Sequence, residues 1–200
     1  MKRDDVKSNL CMGFLTVIEC PEFGLFGGYL LLNRLGRPME FHCTAPVKPS
    51  RAQQILYGAT LEPYLYGEQI GRTLVTTAKS RPAAIFTDRH PVLALREEVE
   101  MPVVFVLGDD VARENRGDAR IGPGLGPSDQ TSHRLDAAHA VGGRLAEFHF
   151  GRSRLAVASS SAEDRELVTA RLGELADSFD FREPFERIRE AIEEIGRAHV

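Results

Sequence analysis

The sequence predicts an α+β fold: a mostly antiparallel sheet that opens with a three-stranded meander, carries helices packed on the sheet, and is interrupted by a long Gly/Pro-rich mid-chain loop. Three observations carry this expectation. Gly13–Val47 holds apolar, β-rich runs split by turn residues at Pro21–Gly24 and Asn33–Pro38. Pro102–Leu107 is a continuous apolar run of the kind found in buried central strands. Phe185, Ile188, Ile192 and Ile195 form one apolar stripe at the spacing of a narrow helical seam.

Taken in order, residues 1–9 are charged and read as a flexible tail, leaving 10–200 as a single domain. Leu10–Glu19 is the first strand, stopped at Cys20-Pro21 because proline removes a ladder donor. Gly24, Gly27 and Gly28 flank Leu25-Phe26, and Tyr29–Leu32 continues the second strand. Asn33–Gly36 is turn chemistry, since Asn and Gly tolerate positive φ. Met39–Thr44 returns as the third strand before Pro46 and Pro49. Ser50 and Gln53 have the spacing of a capping box, which opens a helix. Helical character runs to about Lys79 with a kink near Gly58–Pro63, because Pro63 suits a first turn and not a helix interior. Leu65, Ile70, Leu74 and Ala78 mark the buried face of this stretch.

Pro82–Thr87 is a strand that follows a helix, which admits a parallel crossover. His90–Glu100 reads either as a short helix begun by Pro91 or as a β-hairpin arm. The stretch 108–132, rich in Gly, Pro, Asp and Arg, reads as a mobile loop or internal linker. Leu145–Phe150 and Arg154–Ser159 form a hairpin around Gly151-Arg152. Ser160 or Ser161 is expected to cap the next helix, with Glu163 or Asp164 three residues on. Its apolar face is Leu167, Val168, Leu172 and Leu175, and a C-terminal amphipathic helix follows over 184–196. The opening pattern GGYLLLN…GRPMEF is similar to profilin-like regulatory folds such as roadblock/longin or PAS/GAF modules; the similarity is one of strand pattern and implies no site residue.

Composition narrows the function classes. A net charge of -4, no Trp and no basic block with interleaved aromatics argue against a nucleic-acid partner. No run approaches the ~18 apolar residues of a membrane span, and no signal-peptide core follows the N-terminus. The cysteines (Cys11, Cys20 and Cys43) are odd in number and widely spaced, as in a reduced cytoplasmic protein.

Candidate chemistry is sparse. Asp88 and His90 follow one apolar strand, and Asp109 and Asp110 follow the other. If those strands are parallel neighbours, these groups share the sheet edge where open α/β sheets bind ligands, and they suit a hard divalent cation. Asp is also common in strand-ending turns, which explains them without a ligand. Cys20 lies near His42 and Cys43 in the meander, but His42 and Cys43 are adjacent and point to opposite faces. A buried free cysteine packs as a small hydrophobe, and no close Cys pair supports a metal site. Gly122–Gly126 lacks the Gly-Lys-Ser/Thr of a phosphate loop. His133 and His139 are six apart and do not share a helix face. Tyr57 and Tyr64 near the kink, with Phe185, Ile188 and Ile192, are interface candidates; each also suits ordinary core packing.

The sequence therefore favours a non-enzymatic cytoplasmic protein-interaction or regulatory module. No cofactor or metal is assigned, and the expected partner is another protein or a second copy. The alternatives are a metal-dependent hydrolase or phosphoesterase using Asp88, His90, Asp109 and Asp110, and a Cys20 nucleophile.

Overall fold

A long antiparallel hairpin starts the sheet: β1 (Cys11–Cys20) pairs along its whole length with β2 (Gly24–Asn33), from Cys11 opposite Asn33 to Cys20 opposite Gly24. The turn closing β2 to β3 (Pro38–Cys43) is held by Asn33, whose Oδ1 accepts from the amides of Leu35 at 2.9 Å and Arg37 at 3.0 Å. β3 pairs antiparallel to β2, with an irregularity at Leu31/Leu32 before Pro38. The computed structural model describes residues 10–108 and 144–197. The expected tail at 1–9, nearly all of the expected loop at 108–132, and Asp109, Asp110, His133 and His139 lie outside the described residues.

Beyond the hairpin come β4 (Ile85–Thr87), β5 (Val103–Val106), β6 (Leu145–Phe150) and β7 (Ser153–Ala158). The result is an α+β fold on a seven-stranded mixed sheet in the order β3-β2-β1-β4-β5-β7-β6. It is mostly antiparallel, but β1, β4 and β5 run parallel. The crossover from β3 to β4 is helical: α1 (Arg51–Tyr57), α2 (Leu61–Pro63), a π-helix at Tyr64–Gly71 and α3 (Arg72–Thr77). A 3-10 helix at His90–Glu97, with Pro91 in its first turn, joins β4 to β5, so the helical reading of that segment holds and the hairpin-arm reading does not. After β7 come α4 (Asp164–Leu172) and α5 (Glu183–Arg197). No helix among the described residues is long and apolar enough to cross a membrane.

The period-two alternation of the strands sorts the core into two faces. Met12, Phe14, Leu30, Leu32, Phe86, Val104 and Val106 point to one face, where α4 and α5 bring Val168, Leu172, Phe185, Ile188 and Ile192. Leu15, Val17, Tyr29, Leu31, Ile85, Val103 and Phe105 point to the other, against Leu65, Ile70, Leu74, Val92 and Leu95. Gly27 and Gly28 let both helical layers close on β2. A Cβ on Gly27 would stand 2.2 Å from Ile70 Cγ2, and one on Gly28 would stand 2.3 Å from Ile188 Cγ2. Close backbone approach is their role.

Two expectations need correction. Phe185, Ile188 and Ile192 are buried in their own core, so these three residues of the α5 stripe face the sheet and not a partner, while Ile195 at its end is exposed. The expected serine cap of α4 does not form: Ser159–Ser161 make a 3-10 turn, and Glu163 precedes the helix without a side-chain cap. Asp164, fully buried, instead accepts from Arg96 Nε at 2.7 Å and Nη2 at 3.2 Å. That bidentate pair ties α4 to the 3-10 helix between β4 and β5.

Candidate functional site

Parallel β4 and β5 put their carboxyl ends on one edge of the sheet. There the Thr16 hydroxyl donates to Asp88 Oδ1 at 2.6 Å, and Arg189 of α5 ion-pairs with Asp88 Oδ2. Register explains the cluster: Leu15 lies opposite Thr87, so Thr16 and Asp88 lie next to each other and share the α5 face. Both carboxylate oxygens of Asp88 are thus engaged by the protein's own donors. His90 begins the 3-10 helix with its ring edge-on to Phe105, centroids 5.9 Å apart. Among the described residues, no three His, Cys, Asp or Glu side chains converge in a way that could hold a metal ion.

The cysteine constellation disperses. Cys11 is buried and its Sγ points to the Arg81 carbonyl, while Cys43 is exposed. Burial, then the nearby Glu40, pushes the Cys11 thiol up. His42 pairs with Glu40, Nε2 to Oε2 at 3.0 Å. Tyr29 stands opposite both His42 and Leu15, which sets Cys20 five positions farther along β1 from His42. At about 3.3 Å per residue, that is roughly 16 Å. Cys20 therefore has no base in His42. Glu40 also accepts from the Ser80 hydroxyl, the Lys79 amide at 2.9 Å and the Ser80 amide at 2.8 Å. With the Ser80 hydroxyl contributing most, these donors hold its carboxyl at about 2, far below the usual value. The Ser80 hydroxyl points at Glu40 and not at His42, so this cluster anchors β3 to the end of the crossover and does not activate a nucleophile.

The helical crossover exposes a different feature. The capping box forms as expected, with the Gln53 amide on Ser50 Oγ and the Ser50 amide on Gln53 Oε1. It starts a helix, α1, in which no residue is buried. Ile55 is 67% exposed, Leu56 81% and Tyr57 36%. Consecutive helical residues turn by 100°, so these three apolar side chains cover a broad arc, and none reaches the core. Gly58 ends the helix with φ +51°, and the chain doubles back so that Tyr64 stacks on Tyr57, centroids 4.3 Å apart. Of the interface candidates read from sequence, Tyr57 and Tyr64 lie on this ridge. Ile55 and Leu56 were missed, although an Ile-Leu-Tyr run in a seven-residue helix cannot point wholly inward.

At the foot of α1 lies a cleft of about 380 Å³. Leu25, Leu61 and Leu65 give it apolar surface, Pro21, Gly24 and Pro49 flank it, and Glu19, Cys20, Lys48, Gln54, Glu62 and Tyr66 complete the lining. Leu25 and Leu65 are buried, Cys20 is half-buried, and Glu19 and Glu62 are exposed. Lys48 lays its stem over Gly24 and donates its ammonium to the Glu22 carbonyl. Burial, followed by the charges of Glu62 and Glu19, pushes the Tyr66 hydroxyl up, and Arg89 opposes them.

Compared with known proteins, the chain matches no family model, no curated protein and no solved structure at a significant level. Function is therefore argued from the sites alone.

Proposed function

We propose that this chain is a non-enzymatic protein-interaction module that docks a partner through the exposed ridge of α1. One observation carries the reading: α1 contributes no buried residue yet displays Ile55, Leu56 and Tyr57 to solvent. Contiguous exposed apolar side chains of this size mark a docking surface. The partner is a protein with an apolar groove. Three side chains of this size bury roughly 300–400 Å² per copy, well short of the ~800 Å² per side of a standard interface, so two ridges packed on each other make a poor dimer. A concave partner wraps the helix and adds area around it.

The test is a photo-crosslinker placed at position 56, with a second placed at the exposed Arg152 as control. The expected result is one crosslinked protein species specific to position 56 and lost in the Ile55→Asp variant. Equal crosslinking from both positions, or a crosslink only to a second copy of this chain, refutes the groove partner. Because α1 holds none of the core, Ile55→Asp leaves the melting temperature unchanged.

A metal-dependent hydrolase or phosphoesterase is the second reading. It is favoured by parallel β4 and β5, which bring Gly108, the last described residue before Asp109, to the same edge as Asp88. Against it stands the engagement of Asp88 by Thr16 and Arg189. Millimolar Mg²⁺ or Mn²⁺ that leaves the melting temperature unmoved removes this reading.

A further inference from the structure

We propose that the cleft at the foot of α1 receives a segment of the partner that presents a lysine or arginine beside an aliphatic side chain. This rests on the interaction-module reading and names the chemistry of what that module binds. The cleft borders α1: Gln54 lines it, and Ile55 stands 100° round the helix from Gln54. A segment seated in the cleft reaches Ile55 at its margin, while the rest of the partner wraps α1 to reach Leu56.

The lining selects the occupant. Leu25, Leu61 and Leu65 offer apolar contact for an aliphatic side chain, and the prolines add rigid walls that lose little entropy on binding. Glu19 comes from the end of β1 and Glu62 from α2, so two separate elements bring carboxylates to the same cleft. Both act on the Tyr66 hydroxyl, which places their charges in a common field. The one lysine of the lining, Lys48, turns its ammonium to the Glu22 carbonyl on the hairpin turn and only its stem faces the wall. Two carboxylates against one lysine leave the lining net negative, so a cationic side chain is favoured there over a phosphate or a carboxylate. About 380 Å³ is at the small end of ligand pockets, which fits a pair of side chains from a bound segment and not a dinucleotide or a flavin.

Cys20 makes the cleft testable without knowing the partner. It lines the cleft and is half-buried, Cys11 is buried, and Cys43 is the exposed thiol to be removed. The full chain carrying Cys43→Ser is used to select a phage-displayed random dodecapeptide library, in parallel with the same chain carrying Glu19→Gln and Glu62→Gln. The selected peptides are then synthesised. The expected result is enrichment of Lys or Arg next to Leu, Ile or Val, a tenfold or greater loss of affinity in the double-Gln chain, and at least fivefold slower maleimide labelling of Cys20 when peptide is bound. Enrichment without basic residues, equal affinity for the double-Gln chain, or unchanged Cys20 labelling overturns the proposal. The two readings fail separately. If only the cleft is wrong, crosslinking from position 56 persists in the double-Gln chain. If only the ridge is wrong, the peptides bind Leu56→Asp unchanged and still shield Cys20.

Discussion

Gly28 is the position where one added carbon reports on the layering of the whole fold. A Cβ there would lie 2.3 Å from Ile188 Cγ2 and 2.8 Å from Ile192 Cδ1. Carbon atoms pack best at about 3.5–4.0 Å, so α5 has to retreat by roughly 1 Å or its isoleucines must leave their rotamers. Overpacking of this kind costs about 1–3 kcal/mol, offset by the ~0.5–1 kcal/mol gained when a strand glycine becomes alanine. Gly28→Ala is therefore expected to destabilise the protein by about 0–2.5 kcal/mol in urea denaturation. The atoms named make the reasoning sharper than a single variant does. Ile188→Leu removes the offending Cγ2 at nearly constant volume and alone costs less than about 1.5 kcal/mol. Combined with Gly28→Ala it is expected to recover about 0.5–2 kcal/mol relative to additivity. Gly27→Ala, whose Cβ would meet Ile70 and Leu74 on the other face, is expected to add independently of Ile188→Leu. Strict additivity of Gly28→Ala with Ile188→Leu, or a Gly28→Ala protein more stable than the wild type, refutes this account of how α5 seats on the sheet.

Other expectations follow from single contacts. Glu40 has a folded-state pKa depressed from 4.5 to about 2, chiefly by the Ser80 hydroxyl. Its contribution is present above the unfolded value and is lost as pH falls through the folded one. Stability of the wild type is thus expected to decline between about pH 4.5 and 2, and the profile of Glu40→Gln to be flatter across that window; parallel profiles would refute the anchor. Asp164→Ala strands Arg96, whose side chain is 23% exposed, and is expected to cost about 3 kcal/mol in chemical denaturation, the low end for a broken buried pair; a change under about 1 kcal/mol would show that the pair is idle. Thr16→Val removes a buried hydroxyl bonded to the Asp88 carboxylate and is expected to cost about 1.5–3 kcal/mol, where no loss in the melting curve would refute the contact.

The local elements were the legible part. Turn residues announced both ends of the β1–β2 hairpin, and the Ser50–Gln53 spacing announced the start of α1 down to its two hydrogen bonds. What stayed hidden was decided between elements. Whether β4 and β5 run parallel depends on whether the connection carries the chain back to the edge where β4 began, and no periodicity records that. The close seating of the π-helix at Tyr64–Gly71 was hidden too: a Cβ on Gly67 would meet the Leu95 amide nitrogen at 2.7 Å, so the helix lies directly on the connection between β4 and β5. Asp164 matched a capping pattern in sequence, but a distant arginine claimed it first. The stripe of α5 read equally as seam or core, because burial against a sheet and burial against a partner ask for the same spacing.

The same competition decides where a ligand surface remains. Parallel strands direct attention to their carboxyl edge, where open α/β sheets hold ligands. Here Asp88 at that edge is spent on Thr16 and Arg189, and its chemistry serves to fasten α5 to the sheet. Past the end of β1 and the β1–β2 turn, the groups that line the cleft are not closed off in this way. Glu19 and Glu62 are exposed, Cys20 is half-buried, and the ridge above them carries apolar side chains with no core to enter. The capping box satisfies two amides at the start of α1, but seven residues are too few to hold a helix firmly on local bonds alone. With no residue of its own buried, α1 has the most to gain from a partner that packs Ile55, Leu56 and Tyr57, and binding there would order the helix as well as cover its apolar side chains.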